Sequence, residues 1–543
     1  MADQADAEAP PDFEYGRSRR KEKRKTMMKR FLRLRILACM ALLLGLMAAV
    51  VLCASPYAAV VEPVMDIEAI WAIEDSRQES EAPLVPRLEN HGQALGYDAQ
   101  NNTFYCTLGM ENTDAWPDIR LSAPNAGDVR LVFVDDYSYD WCADAVMEGY
   151  PYQVMAYTDT EFAYFDLVFT GLPIVQIAPQ ETITQEDTQA RFAMSAFGAQ
   201  GLDVPARVHL RGDRSLSWKP KGGYRVEFIR GGDSGKVLQR VAGLCDTQEL
   251  LLLPIAIDGT MMRDRLSWDM VNLAFDAQEG FGGLPSQYVE VFVGGSYEGV
   301  YLMLKPYDIG DEMRKEGQET VFRDSLYRVT RMEMAKDRPV IADPTSPEAG
   351  FELFYAPSAE HGFDALAPYL DLISQQDDAK FARKALECLD LDSLLRYTLI
   401  MQTGCMVDNA SNNLYIWAHR ENGGIRYRFA FWDMDLTWGL YAGDEGDHWV
   451  ELDVADRVIR LDVGGARART KEIWAQLKER GFTAENVERH ITQYVHELGD
   501  SGAFARDSDR WEKGSFYPDG YEIVSFAYAR FEMMDAWVDA LVP

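Results

Sequence analysis

The sequence predicts an α+β protein: a β-rich first part, a helical second part, and one membrane-length apolar segment ahead of both. Three observations carry this. Up to about Leu304 the chain is a succession of short aromatic and β-branched runs punctuated by Gly, Pro, Asn and Asp. Beyond residue 360, apolar residues recur at three- and four-residue spacing. Ile36 to Ala54 is nineteen residues without a charge, just long enough to span a bilayer. With 543 residues, 47% of them apolar and 26% charged, the chain has the composition of an ordinary globular protein and room for two or three domains.

The elements follow in order. Residues 1–35 form a basic tail: through residue 61 there are eleven Lys/Arg against six Asp/Glu, a net +5, so the rest of the chain carries −38 of the total −33. Positive charge before the apolar span and acidic sequence after it predict a single-pass membrane protein, with its N-terminus cytoplasmic and its main domains outside. Secretion after cleavage of a signal peptide is the alternative, though the leader is long and lacks a good cleavage site. Residues 55–85, rich in Glu, Pro and Ala, are read as a linker. Residues 86–172 hold runs at Thr103–Leu108, Val129–Val134, Tyr152–Tyr157 and Phe162–Phe169, the pattern of a small antiparallel β domain.

A second β-rich region follows, with strands at Ala190–Ser195, Ala206–Arg211, Tyr224–Ile229, Glu249–Ile255 and Tyr288–Leu304. A hairpin turn is expected at Gly294-Gly295 and a helix over Met262–Phe275. Helices are predicted over 363–375, 378–389, 392–403, 470–480, 484–498 and 521–541, with Gly404 as a C-cap.

Composition excludes some functions. A surface this acidic disfavours nucleic acid and favours cations or basic partners. The seven cysteines show no metal-binding spacing and the histidines are scattered, which argues against zinc. Outside the apolar span the cysteine count is odd; Cys106 and Cys142 are the candidates for a single bridge.

The chemistry concentrates in Asp408-Asn-Ala-Ser-Asn-Asn413 and Trp432-Asp-Met-Asp435. An aspartate five residues before an asparagine, followed by further carboxylates, is a set suited to phosphoryl transfer: Asp408 accepts a hydroxyl proton, while Asn413 with Asp433 or Asp435 holds Mg²⁺. Leu414–Ala418 and Ile425–Trp432, separated by Glu421-Asn-Gly-Gly424, predict a β-hairpin. With Asn422 and Gly423 at its tip, opposed residue numbers sum to 845. Asn413 then faces Trp432 and Asn412 faces Asp433, with opposed Cβ atoms roughly 5 Å apart. A one-residue slip would make Asn412 the inward group in place of Asn413.

The segments LRGDRSLSWKPKGGYRVEF (210–228), LLLPIAIDGTMMRDRLSWDMV (251–271), YVEVFVGGSYEGVYLM (288–303), MVDNASNNLYIW (406–417), YRFAFWDMDLTWG (427–439) and SDRW (508–511) resemble, in order, the spore-coat CotH kinase family, over roughly 174–541. The resemblance implies a divergent kinase-like domain over 173–543, with a β-rich N-lobe and a helical C-lobe. It also implies use of ATP and Mg²⁺ and phosphorylation of serines in basic coat or surface proteins. Carried over by position, Asp408 is catalytic, and Asn413, Asp433 and Asp435 are metal ligands. Lys221 falls on the family's phosphate-lobe lysine, with Lys219 as a substitute for the missing second lysine. A lysine on a strand of the β lobe also suits a nucleotide phosphate, with Glu290 as a partner to hold it. Arg263 stands where the family has a comparable arginine, for phosphate contact or a structural ion pair.

Lys305 departs from the family pattern, which has an acidic residue there, so an inactive scaffold or adhesin on the same fold is an alternative. AMP transfer is another. Arg211-Gly-Asp213 spells an integrin-type tripeptide but opens a family motif. Trp432 and Trp438 are read as core packing, and His209 and His448 as structural.

Overall fold

The computed structural model describes residues 59–62, 65–109, 119, 121–124, 126–134, 142–212, 221–231, 235–275, 282–307, 324–330, 350–356, 362–421, 423–440, 447–512 and 519–542. The apolar run 36–54 lies outside these residues. Among the described residues no helix is long and apolar enough to cross a membrane.

The first domain is built on a ten-stranded sheet, whose central strands Arg130–Phe133, Tyr152–Tyr157, Glu161–Thr170 and Thr103–Thr107 lie where the runs predict. Two expectations change. The sheet is mixed: Glu161–Thr170 runs parallel to Thr103–Thr107, and Ala59–Glu62 parallel to Arg130–Phe133. Parallel neighbours need a long crossover, and the chain between Thr107 and Glu161 provides one. The segment read as a linker folds too, as a helix Ile67–Ser76 and a short strand Gln78–Glu79. Asp66 caps the helix by accepting from the Glu68 N–H, and Ile70 and Ile73 bury one turn apart against Val132, Met155 and Phe162. That i, i+3 pair was masked by the acidic residues around it.

Cys106 is a buried free thiol, contacted by the Asn90 amide at 3.6 Å and pushed up to about 12 by burial. The expected bridge to Cys142 is therefore not formed.

The second β region closes into a barrel of seven strands: β1 (Ile174–Pro179), β2 (Thr188–Ser195), β3 (Leu202–Arg211), β4 (Gly223–Phe228), β5 (Glu249–Leu253), β6 (Ser286–Val293) and β7 (Ser296–Leu304). Their order is β1-β2-β3-β4-β5-β7-β6, with β6 closing parallel on β1. Alternate residues such as Val175, Phe192, Val208, Val226, Val289 and Met303 fill the interior. Gly294 and Gly295, both at positive φ, make the expected turn between β6 and β7. Helix α1 (Arg263–Ala274) crosses between β5 and β6, and its Leu266, Trp268, Met270 and Val271 belong to the core of the helical lobe.

In that lobe the predicted helices appear at Ala367–Ile373, Asp378–Cys388, α2 (Leu391–Thr403), Ala466–Glu479, Ala484–Gly499 and Tyr521–Ala540. Gly404 caps α2, but at φ −75°; the left-handed position falls on Cys405. A one-turn helix α3 (Asp408–Ser411) then leads into a four-stranded sheet made of β8 (Ser325–Val329), β9 (Phe351–Tyr355), β10 (Leu414–Glu421) and β11 (Gly424–Phe431). Helix α4 (Ala503–Arg510) leaves the lobe and packs back onto barrel strand β7.

Candidate active-site cleft

Strands β10 and β11 pair from Leu414↔Phe431 to Glu421↔Gly424, so every pair sums to 845 as the turn chemistry predicts. At the open end the ladder stops. Asn413 (φ 49°) and Asp433 (φ 54°) both turn into the left-handed region, which Asn and Asp tolerate better than most side chains. Asn409, which sequence reasoning passed over, holds this end together. Its buried amide donates to the carbonyls of Trp432 (2.7 Å) and Asn413 (3.3 Å), and the Tyr397 hydroxyl donates to its own carbonyl (2.7 Å).

Asp408 stands just before it. Its Oδ1 accepts from the Asn412 amide at 2.8 Å and its Oδ2 from the Asn413 amide at 2.7 Å. Both asparagines therefore point inward, Asn413 the more buried.

Three further segments face this corner. Asp433 keeps exposed surface and Asp435 is half-buried. From α1 comes Asp264, 4% exposed, whose carboxylate accepts from the Met434 N–H and whose Oδ1 has no hydrogen-bond partner among the described residues. From the end of β3 comes Arg211, its guanidinium 5.6 Å from the Trp432 ring centre.

The carboxylates feel one another. Asp435 is pushed up to about 8, first by burial and then by Asp433, Asp264, Asp408 and Asp258. Asp264 is pushed up to about 7 by burial, Asp433 and Asp258, against the Met434 N–H and Arg211. Asp433 is raised, first by the protein crowding its carboxyl and then by Asp408, with Arg211 opposing. Between the ordinary carboxylate range and these raised values the folded protein holds more protons than the unfolded chain, so stability falls as pH rises through that window. Protein stripped of divalent cations should therefore melt at lower temperature at pH 8 than at pH 6, and Mg²⁺ should recover the difference at pH 8. Thermal melts at the two pH values, with and without Mg²⁺, check this.

Among the described residues no three His, Cys, Asp or Glu side chains gather closely enough to hold a metal by themselves. Mg²⁺ does not require such a cage: it is commonly held by one or two carboxylates, water and substrate phosphate. Asp433 and Asp435 are the carboxylates available for this. The Asn413 amide nitrogen is committed to Asp408, which leaves its oxygen as a further donor atom. Asp264, whose Oδ1 has no hydrogen-bond partner among the described residues, belongs to the same interacting group of carboxylates.

The expected nucleotide residues lie elsewhere. Lys221 is 2% exposed and does not meet Glu290. Its Nζ lies 2.5 Å from Asp507 Oδ1 and 2.5 Å from the Val300 carbonyl, over the Tyr301 ring. Glu290 is gripped by Arg506 through both oxygens at 2.9 Å and accepts from the Tyr297 hydroxyl. Helix α4 makes this exchange, because its consecutive residues Arg506 and Asp507 present opposite charges to the barrel.

Arg263 is also buried. It pairs with Asp258 (2.7 Å) and Glu522 (2.7 Å), the structural one of its two readings. Lys219 lies outside the described residues. Lys305 is half-buried just past β7. Trp438 is fully buried and donates to Ser267, in line with core packing.

The chain belongs to the CotH kinase protein family, whose model matches residues 208–534, more than half of its length, and this membership points to a kinase-like enzyme. No curated protein matches the chain.

Proposed function

We propose that the protein uses Mg-ATP to phosphorylate serine or threonine hydroxyls of a basic, Ser-rich protein. The observation that carries this is the Asp408–Asn413 couple at the open end of the hairpin, facing Asp433 and Asp435. Two amide donors fix both oxygens of Asp408, so its carboxylate is aimed before a substrate arrives and can take the hydroxyl proton as the phosphoryl group is transferred. Bound Mg²⁺ would supply charge neutralisation for the phosphates, with Asp433, Asp435 and Asn413 as its protein ligands. The net −38 after residue 61 favours a basic partner over a nucleic acid. The charge pattern around 36–54 supports attachment through one membrane-spanning helix, with the active domain outside the cytoplasm.

Asp408→Asn, which keeps the shape and removes the base, should lower phosphotransfer by about 10²–10⁴-fold with little change in ATP affinity. Mass spectrometry of a Ser-rich basic peptide after incubation with Mg-ATP reads the result, and the mass added separates phosphate from AMP. An unmodified peptide and no autophosphorylation by the wild-type protein would favour the second reading, an inactive scaffold or adhesin. The specific observation on that side is the commitment of Lys221 and Arg263 to buried carboxylates.

A further inference from the structure

A nucleotide with three phosphates needs a cation from the barrel lobe, and the sequence candidates described there are committed elsewhere. Arg211 is differently placed. It ends β3, opposite Gly223 on β4, and it is only partly buried. Among the described residues no hydrogen bond engages its guanidinium. What surrounds it is the Trp432 ring, 5.6 Å from its Cζ, and the charges of Asp433 and Asp264. Its fork of N–H donors therefore lies over Trp432, next in sequence to the proposed metal ligand Asp433 and within electrostatic reach of it, with donors to offer. Planar guanidinium groups of this kind match phosphate oxygens two at a time and stack on aromatic faces.

We propose that Arg211 is the phosphate-binding cation of the barrel lobe. In the nucleotide-free protein it serves as counter-charge to Asp433 and Asp264. When Mg-ATP enters, the metal takes over that neutralisation and the guanidinium turns to the terminal phosphates, with Trp432 as its platform. This inference rests on the Mg-ATP reading above.

Two binding measurements test it on the purified protein by calorimetric titration. Arg211→Met should weaken ATP binding by about 10–100-fold, the cost of losing a charged hydrogen-bonding partner, while AMP binding stays within about two-fold. Without nucleotide, the same variant should bind Mg²⁺ more tightly than wild type, because the competing cation is gone. Arg211→Lys should recover part of the ATP affinity, since it restores charge without the fork. A merely structural role would weaken ATP, AMP and Mg²⁺ together, and that result would overturn the assignment. So would undiminished ATP affinity in Arg211→Met. A wild-type protein that binds no ATP would instead remove the nucleotide reading itself, and this inference with it.

Discussion

Asp433→Asn is expected to lower phosphotransfer by about 10³–10⁵-fold, the range that one cation on the transferred phosphoryl group is worth, because it weakens the hold on the metal that would supply that charge, and to leave the fold intact. Asparagine is the informative replacement because residue 433 sits at φ 54°, where alanine would add a backbone penalty of about 1–2 kcal/mol. The carboxylate contributes nothing visible to stability: its own ionisation is disfavoured where it stands, and it raises the proton affinity of Asp435 and Asp264. Removing its charge should let both neighbours ionise at lower pH, so the metal-free variant should melt no lower than wild type at pH 8. Melting curves and the peptide assay, run on the same preparation, check both halves. Activity within ten-fold of wild type would move the metal role to Asp435, two residues on.

The hairpin register could be read from the sequence because it is local: Asn422-Gly423 sets the turn, and counting outward sets every pair to Phe431. Most of the long helices and both β regions were legible for a similar reason, since periodicity reports which face is buried. Three site features were not. Asp264 follows Arg263 in a helix whose first six residues are all buried, charged and apolar alike, so no polar face announced it. Asn409 shows its role only when the Trp432 carbonyl arrives from twenty-three residues away. The partners of Lys221 and Glu290 come from α4, more than 200 residues later, and a short polar helix with Arg506 and Asp507 adjacent gives no sign of which strand each will meet.

That exchange has the largest expected effect on stability. Lys221 and Asp507 form an ion pair at 2.5 Å with almost no exposed surface, and Asp507 also accepts the Val300 N–H at 2.8 Å. Removing one member breaks a buried ion pair, a cost of about 3–5 kcal/mol. Asp507→Ala should sit at the upper end, because it also orphans the Val300 N–H; Lys221→Met, which keeps most of the apolar stem over Tyr301, should sit at the lower end. Lys221→Met with Asp507→Asn should be less destabilised than either charge-breaking single variant, because both charges of the pair are removed and asparagine still accepts from Val300. The approach is close by design of the backbone: Gly299 has φ +89°, and a Cβ there would lie 2.1 Å from Asp507 Oδ1. Denaturant unfolding of the three variants without nucleotide separates this role from nucleotide binding. If Lys221→Met unfolds at the wild-type midpoint and loses only ATP affinity, Lys221 belongs to the nucleotide. If its midpoint falls and ATP affinity survives in the molecules still folded, the lysine joins α4 to the barrel, and the phosphates are left to Arg211.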